Sequence, residues 1–129
     1  MPLTIVDGPT IAAGESLSDA ADCSGGQIVR ITVPQEYTAG SERMTFQVSS
    51  DGNFFNDMYD VDGKLIAVVS KPNTSIVIDQ AWTRAVGFIK IRSGTPEQPV
   101  EQREVCRLGI AVLSEAADAP LVSAAGKKR

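Results

Sequence analysis

The stretch that most narrows the possible folds runs from Thr45 to Asp60. Phe46 and Val48 alternate with Thr45, Gln47 and Ser49, the period of a strand with one buried face. Asp51-Gly52 then supplies a tight reversal, because glycine reaches positive φ at no steric cost. Phe54 and Phe55 open a return strand, which Met58 and Tyr59 continue. Four of the chain's seven aromatic residues (Phe46, Phe54, Phe55 and Tyr59) fall here. Aromatic side chains bury the most apolar area per residue, so this hairpin is expected to anchor the core. An all-β domain follows from it; a chemistry does not.

The rest of the chain repeats the pattern of short apolar runs and turns. Leu3 to Val6 is closed by Asp7-Gly8-Pro9, and Thr10 to Ala13 resumes. Ser16 to Ala20 alternates weakly, as an edge strand would. Gln27 to Val33 is a strong strand, rich in branched side chains, with Val29, Ile31 and Val33 expected to face inward. Gln35 to Arg43 reads as a loop carrying Tyr37. Lys64 to Val69, Ser75 to Asp79, Phe88 to Ser93 and Val105 to Leu113 complete the strands. In Phe88 to Ser93, Phe88, Lys90 and Arg92 share one face, and Ile89 and Ile91 the other. Gln80 to Gly87, with Trp82, is a loop or one helical turn. Gly94 to Arg103 holds Pro96 and Pro99 and cannot be a central strand. About nine strands at this spacing indicate a single-domain antiparallel β-sandwich or barrel, not βαβ units.

The chain has 129 residues, 43% of them hydrophobic and 22% charged, enough to bury a core without disulfide or metal staples. The domain is expected over residues 1–113. Residues 114–129 form an extended, Ala-rich, basic-ended arm. Residues 1–126 carry nine basic and 16 acidic side chains, a net charge of −7. An acidic body argues against a nucleic-acid partner, which needs a basic patch to displace counterions. No apolar run reaches the roughly 20 residues of a membrane span. Met1 to Gly14 lacks the basic start and apolar run of a secretion signal. The expectation is therefore a soluble protein made in a cytoplasm.

The residues offer little for catalysis. There is no histidine, so Ser-His-Asp and Cys-His arrangements are absent. No phosphate-cradling glycine loop occurs, and no cofactor is expected. Asp51, Asp57, Asp60 and Asp62 crowd together, yet their spacing fails the calcium-loop pattern, since Phe55 and Asn56 occupy its fifth and sixth positions. Turn capping is the simpler role for them, with a carboxylate pair for glycoside hydrolysis as an enzymatic alternative. Trp82, Tyr37 and Tyr59 are either a sugar-stacking platform or core and interface residues. Cys23 and Cys106 are too few for a disulfide framework. They are buried thiols, an internal bridge or a bridge between subunits. In the arm, Leu121 and Val122 are an apolar anchor, and Lys127, Lys128 and Arg129 would be drawn to an acidic neighbour. The plain alternative is a solvated terminus.

Two stretches in combination are familiar: Thr45 to Phe54 with Met58-Tyr59-Asp60, and Phe88-Ile89-Lys90-Ile91-Arg92-Ser93-Gly94-Thr95. Ile11 to Asp19 precedes them, and Val33-Pro34 closes the strong strand. This order resembles the head decoration, or cement, proteins encoded beside the major capsid protein in tailed bacteriophages and prophages, over roughly residues 10 to 113. The same elements are similar to discoidin-like, galactose-binding jelly rolls, in which they are scaffold. The resemblance implies a jelly-roll sandwich with no enzymatic activity, placed on the outside of a virion. Its implied partners are the phage major capsid protein and other copies of the chain, a trimer slightly ahead of a dimer. No site residue carries over, because such proteins act through surfaces. A carbohydrate-binding module displayed on a virion head or tail is the alternative.

Overall fold

The structure is a computed structural model that describes residues 3–38, 40, 43–78 and 87–113. These residues form nine strands: β1 (Leu3–Ile11), β2 (Ala21–Asp22), β3 (Gln27–Val33), β4 (Arg43–Ser49), β5 (Asn56–Asp57), β6 (Ala67–Val69), β7 (Thr74–Val77), β8 (Phe88–Ser93) and β9 (Cys106–Leu113). The first sheet has the order β1-β9-β3-β7. The second has the order β2-β8-β4-β5, with β6 also paired to β4. Every strand pairing is antiparallel. The first strand pairs with the last, the second with the eighth, and the chain passes from sheet to sheet in between. The fold is an all-β antiparallel sandwich with the nested strand order of a jelly roll.

Each sheet turns one apolar face to the other. β9 contributes Leu108, Ile110 and Val112, and β3 contributes Ile28, Ile31 and Val33. Met44 and Phe46 of β4, and Ile89 and Ile91 of β8, meet them from the second sheet. Alternation places the β8 side chains as the sequence implies. In β3 the phase differs. The register against β9 shifts between Ile28 and Arg30, so Ile28 takes the inward position and Val29 is only half-buried. A bulge inserts one residue and resets which side chains face the core.

β1 also departs from the expectation of two separate runs. It continues through Gly8-Pro9 because a register shift between Asp7 and Thr10 absorbs them. Gly8 sits at φ 114°, and an edge strand tolerates a proline that has no N–H to give the ladder. The edge strand expected at Ser16 to Ala20 is instead a single bridge, Leu17 to Arg92. There the Ser18 hydroxyl accepts the Ile91 N–H at 2.8 Å and donates to the Asp19 carbonyl at 2.7 Å. A side chain thus stands where a longer ladder would run. Of Lys64 to Val69, only Ala67–Val69 joins the sheet.

The central hairpin holds the core by one ring, not four. Phe46 is fully buried and Met58 is buried. Phe54, however, is 73% exposed and Tyr59 is more than half exposed. β5 is only Asn56–Asp57, paired to Val48 and Gln47, so residues 50–55 make a loop that keeps both Phe54 and Phe55 out of the ladder. Asp51 organises that loop. Its Oδ1 accepts the N–H of Asn53 at 2.9 Å, the N–H of Phe54 at 3.1 Å and the Ser49 hydroxyl at 2.9 Å. Gly52, at φ 81°, makes the reversal.

At one end of the sandwich the loops are tied through Gln102, which is buried. Its Oε1 accepts the Thr38 N–H at 2.7 Å, and its Nε2 donates to the Thr38 carbonyl at 3.1 Å. Its own backbone accepts from Gly14 and donates to Glu15. Gly94, at φ 89°, lets the chain fold back there, and a Cβ at that position would collide with the Gln98 carbonyl. Phe46→Ala should lower unfolding free energy by about 3–5 kcal/mol, the range for a fully buried ring. Urea unfolding of the two proteins measures it, and an unchanged midpoint would place Phe46 outside the core.

Candidate interaction surfaces

The two outer faces of the sandwich are built from different strands. Val6, Ile110 and Val112 point into the core, so alternation sends Leu3, Ile5 and Asp7 of β1, and Gly109, Ala111 and Leu113 of β9, to the outside. The registers set Leu3 beside Leu113, and Ile5 beside Ala111. Ala111 pairs with Arg30, and Arg30 in turn with Val77 of β7. Leu3 is 50% exposed, Ile5 55% and Val77 84%. The outside of the first sheet thus carries an apolar patch, interrupted by Arg30. Single exposed apolar residues are ordinary, whereas neighbours on one face mark a contact surface.

The outside of the second sheet is mixed: Val69, paired with Arg43, is 65% exposed, and half-buried Phe88 shares the face of Lys90 and Arg92. Arg92 pairs with Asp57, Nη2 to Oδ1 at 3.0 Å, and the Arg92 Nη1 donates to Thr45 Oγ1 at 3.4 Å. The Lys90 ammonium lies 4.5 Å from the Phe55 ring centroid. The carboxylates weighed for metal or acid–base chemistry are engaged in structure. Asp57 faces Arg92, Asp51 caps its loop, and Asp60 Oδ1 accepts the N–H of Asp62 and of Lys64, each at 2.9 Å. Among the described residues no group of three or more His, Cys, Asp or Glu could hold a metal ion.

A separate feature lies beside the Asp51 loop. A cavity of about 300 Å³ is lined by Val48, Ser49, Ser50, Asp51, Phe54 and Asn56. It joins an exposed ring to carboxylate, amide and hydroxyl groups. Sequence reading gave Phe54 to the core and so missed it. Its signal was local: a phenylalanine three residues after an Asp that caps a turn.

Of the aromatics considered for a binding platform, Tyr37 is excluded by its position. The ring is 4% exposed, and its hydroxyl shares a 2.8 Å hydrogen bond with Ser70 Oγ. It takes the core alternative. Trp82, Leu121, Val122, Lys127, Lys128 and Arg129 lie outside the described residues, as does the whole arm 114–129. Cys23 and Cys106 are both buried free thiols, so the bridge within the chain is not formed. Burial pushes the Cys23 thiol up to about 11, with the Asp22 charge adding to it. Burial, then the Glu36 charge, pushes Cys106 up to about 12. Among the described residues no helix is long and apolar enough to cross a membrane.

Two measurements follow from these environments. Cys23 and Cys106 should resist a thiol reagent at pH 8 in the folded protein and react fully in denaturant, because the thiolate is the nucleophile. Rapid reaction of the native protein would place a thiol at the surface. The Asp51 carboxyl is held down at about 2 by the N–H groups of Asn53 and Phe54 and by the Ser49 hydroxyl. A lowered folded-state pKa gives stability that is present above the unfolded value near 3.9 and lost as pH falls through about 2. Asp51→Asn should therefore lower the urea midpoint at pH 7, and the gap from wild type should shrink toward pH 2. A gap independent of pH would show that the carboxylate charge does not hold the loop.

No family model matches the sequence, and no curated protein matches it. Among solved structures, the Yersinia pseudotuberculosis-derived mitogen is similar over 88% of this chain and 87% of its own, with 13% identity and a TM-score of 0.36. Agreement at that level carries no argument about what this chain does.

Proposed function

We propose that the protein acts by surface binding, as a bacteriophage head decoration protein that lies on the outside of the major capsid lattice and stabilises it. The observation that carries this reading is the apolar patch on the outside of the first sheet, formed by Leu3, Ile5, Val77 and Leu113. A face of that kind is covered in use. The sequence resemblance to decoration proteins supplies the identity of the cover, the phage major capsid protein. A protein that binds only the assembled shell stabilises it by mass action. The reading makes the chain a non-enzymatic part of the virion exterior, made in the host cytoplasm.

A second reading rests on the cavity beside Phe54. An exposed ring with Asp51 and Asn56 beside it is suited to a sugar, the ring to its C–H face and the polar groups to its hydroxyls. Binding to a glycan array that Phe54→Ala abolishes would favour it, and an array without hits would remove it.

The decoration reading is tested with empty shells. Added protein should bind in numbers comparable to the major capsid protein and raise the temperature at which shells open. Ile5→Lys should reduce occupancy severalfold. Occupancy of only a few copies per shell would overturn the reading.

A further inference from the structure

We propose that the free edge of β1, from Leu3 to Ile5, pairs antiparallel with the same edge of a second copy, about a two-fold axis at Thr4. A strand edge presents unpaired N–H and C=O groups, and proteins blunt such edges with short strands, charges, proline or a cover. Most edges of this sandwich are blunted. β2 and β5 have two residues each, β6 has three and β7 has four. The distal part of β1 is covered, since the Thr10 N–H donates to Asp19 Oδ1 at 2.8 Å and the Asp19 N–H to the Thr10 carbonyl at 3.1 Å. The proximal part is different. Leu3-Thr4-Ile5-Val6 carries no charge and no proline, and among the described residues no strand pairs with its outer side.

The register is set by complementarity. In a continuous antiparallel sheet, paired residues share a face, so the two-fold passes through a residue. Centred on Thr4, it sets Leu3 of each copy against Ile5 of the other, apolar on apolar, and Thr4 against Thr4. Centred on Ile5, it would set Leu3 against Asp7. The Thr4 register also keeps the two Asp7 carboxylates farther apart, which favours it for a chain of net charge −4. The result joins two apolar outer faces into one wider face.

Charge and area argue for a second copy over an unrelated strand. The edge offers nothing to attract a charged peptide, while it is complementary to itself. Three residues per copy cover well under the roughly 800 Å² per partner of a standard interface. The contact is therefore weak between free molecules and strong where copies are held side by side. It does not rest on the shell-binding reading and is measured without shells. It is two-fold, unlike the trimer expected from the sequence.

The test is a cysteine at the axis. Paired residues lie about 4.5–5.5 Å apart at Cα, within the range a disulfide spans. Thr4→Cys should form a covalent dimer on mild oxidation at least about tenfold faster than Ser75→Cys, a control on exposed β7, and faster than Ile5→Cys. Thr4 and Cys23 line the same cavity, so every variant carries Cys23→Ser to prevent a bridge within the chain, while Cys106 is buried. Adding Leu3→Lys to Thr4→Cys should abolish the advantage, with circular dichroism and the thermal midpoint confirming that the double variant is folded. Thr4→Cys cross-linking no faster than Ser75→Cys would overturn the proposal, whatever dimer sedimentation detects. That result, in a chain that still binds shells, would leave the decoration reading intact.

Discussion

A buried amide ties together three loops that share no strand. Gln102 satisfies both ends of its side chain on Thr38 and both its backbone groups on Gly14 and Glu15. The loops so joined follow β1, β3 and β8, and each carries the chain across to the other sheet. Apolar contact between sheets is non-directional and fixes no lateral position. A fully bonded polar group at the rim does fix one, because leaving it unpaired in a buried site is costly. The Tyr37 hydroxyl on Ser70 works in the same region and to the same end.

With that end fixed and the core filled by aliphatic side chains, little is left inside for chemistry. The carboxylates that looked most suggestive act on the backbone around them, or on Arg92. The outside is less uniform. There one sheet carries the Arg92–Asp57 pair with Val69 and Phe88 on the same face, and the other carries Leu3, Ile5 and Val77 beside an open strand edge.

Sequence reading succeeded where one residue in two faces the core. β4 and β8 stood out in this way, because Phe46, Ile89 and Ile91 alternate with residues of other character. It failed where a single inserted residue changes the phase, as at Val29, and where a side chain replaces the ladder, as at Ser18. Phe54 looked like core because hydrophobicity records what a residue would prefer, not what the loop length permits. Gln102 left no trace at all, since a lone amide between two acidic or basic neighbours has no period. Leu3 and Ile5 were visible as an apolar run. Their exposure depended on which strand lies beside them, and nothing local specifies that β9 does.

The pairing of the first strand with the last has a consequence for how the molecule comes into being. On a ribosome, β1 emerges early and finds no neighbour until β9 has been made, so the first sheet closes late. Pairings this distant in sequence form slowly and leave apolar strands unsheltered meanwhile. Topologically, the same closure brings Leu3 alongside Leu113. The folded body is thus close to a ring of chain cut at one point. A short bridge across that cut, with a new opening at the exposed Val61-Asp62-Gly63 turn, would leave every ladder in place while reversing which strand is born first.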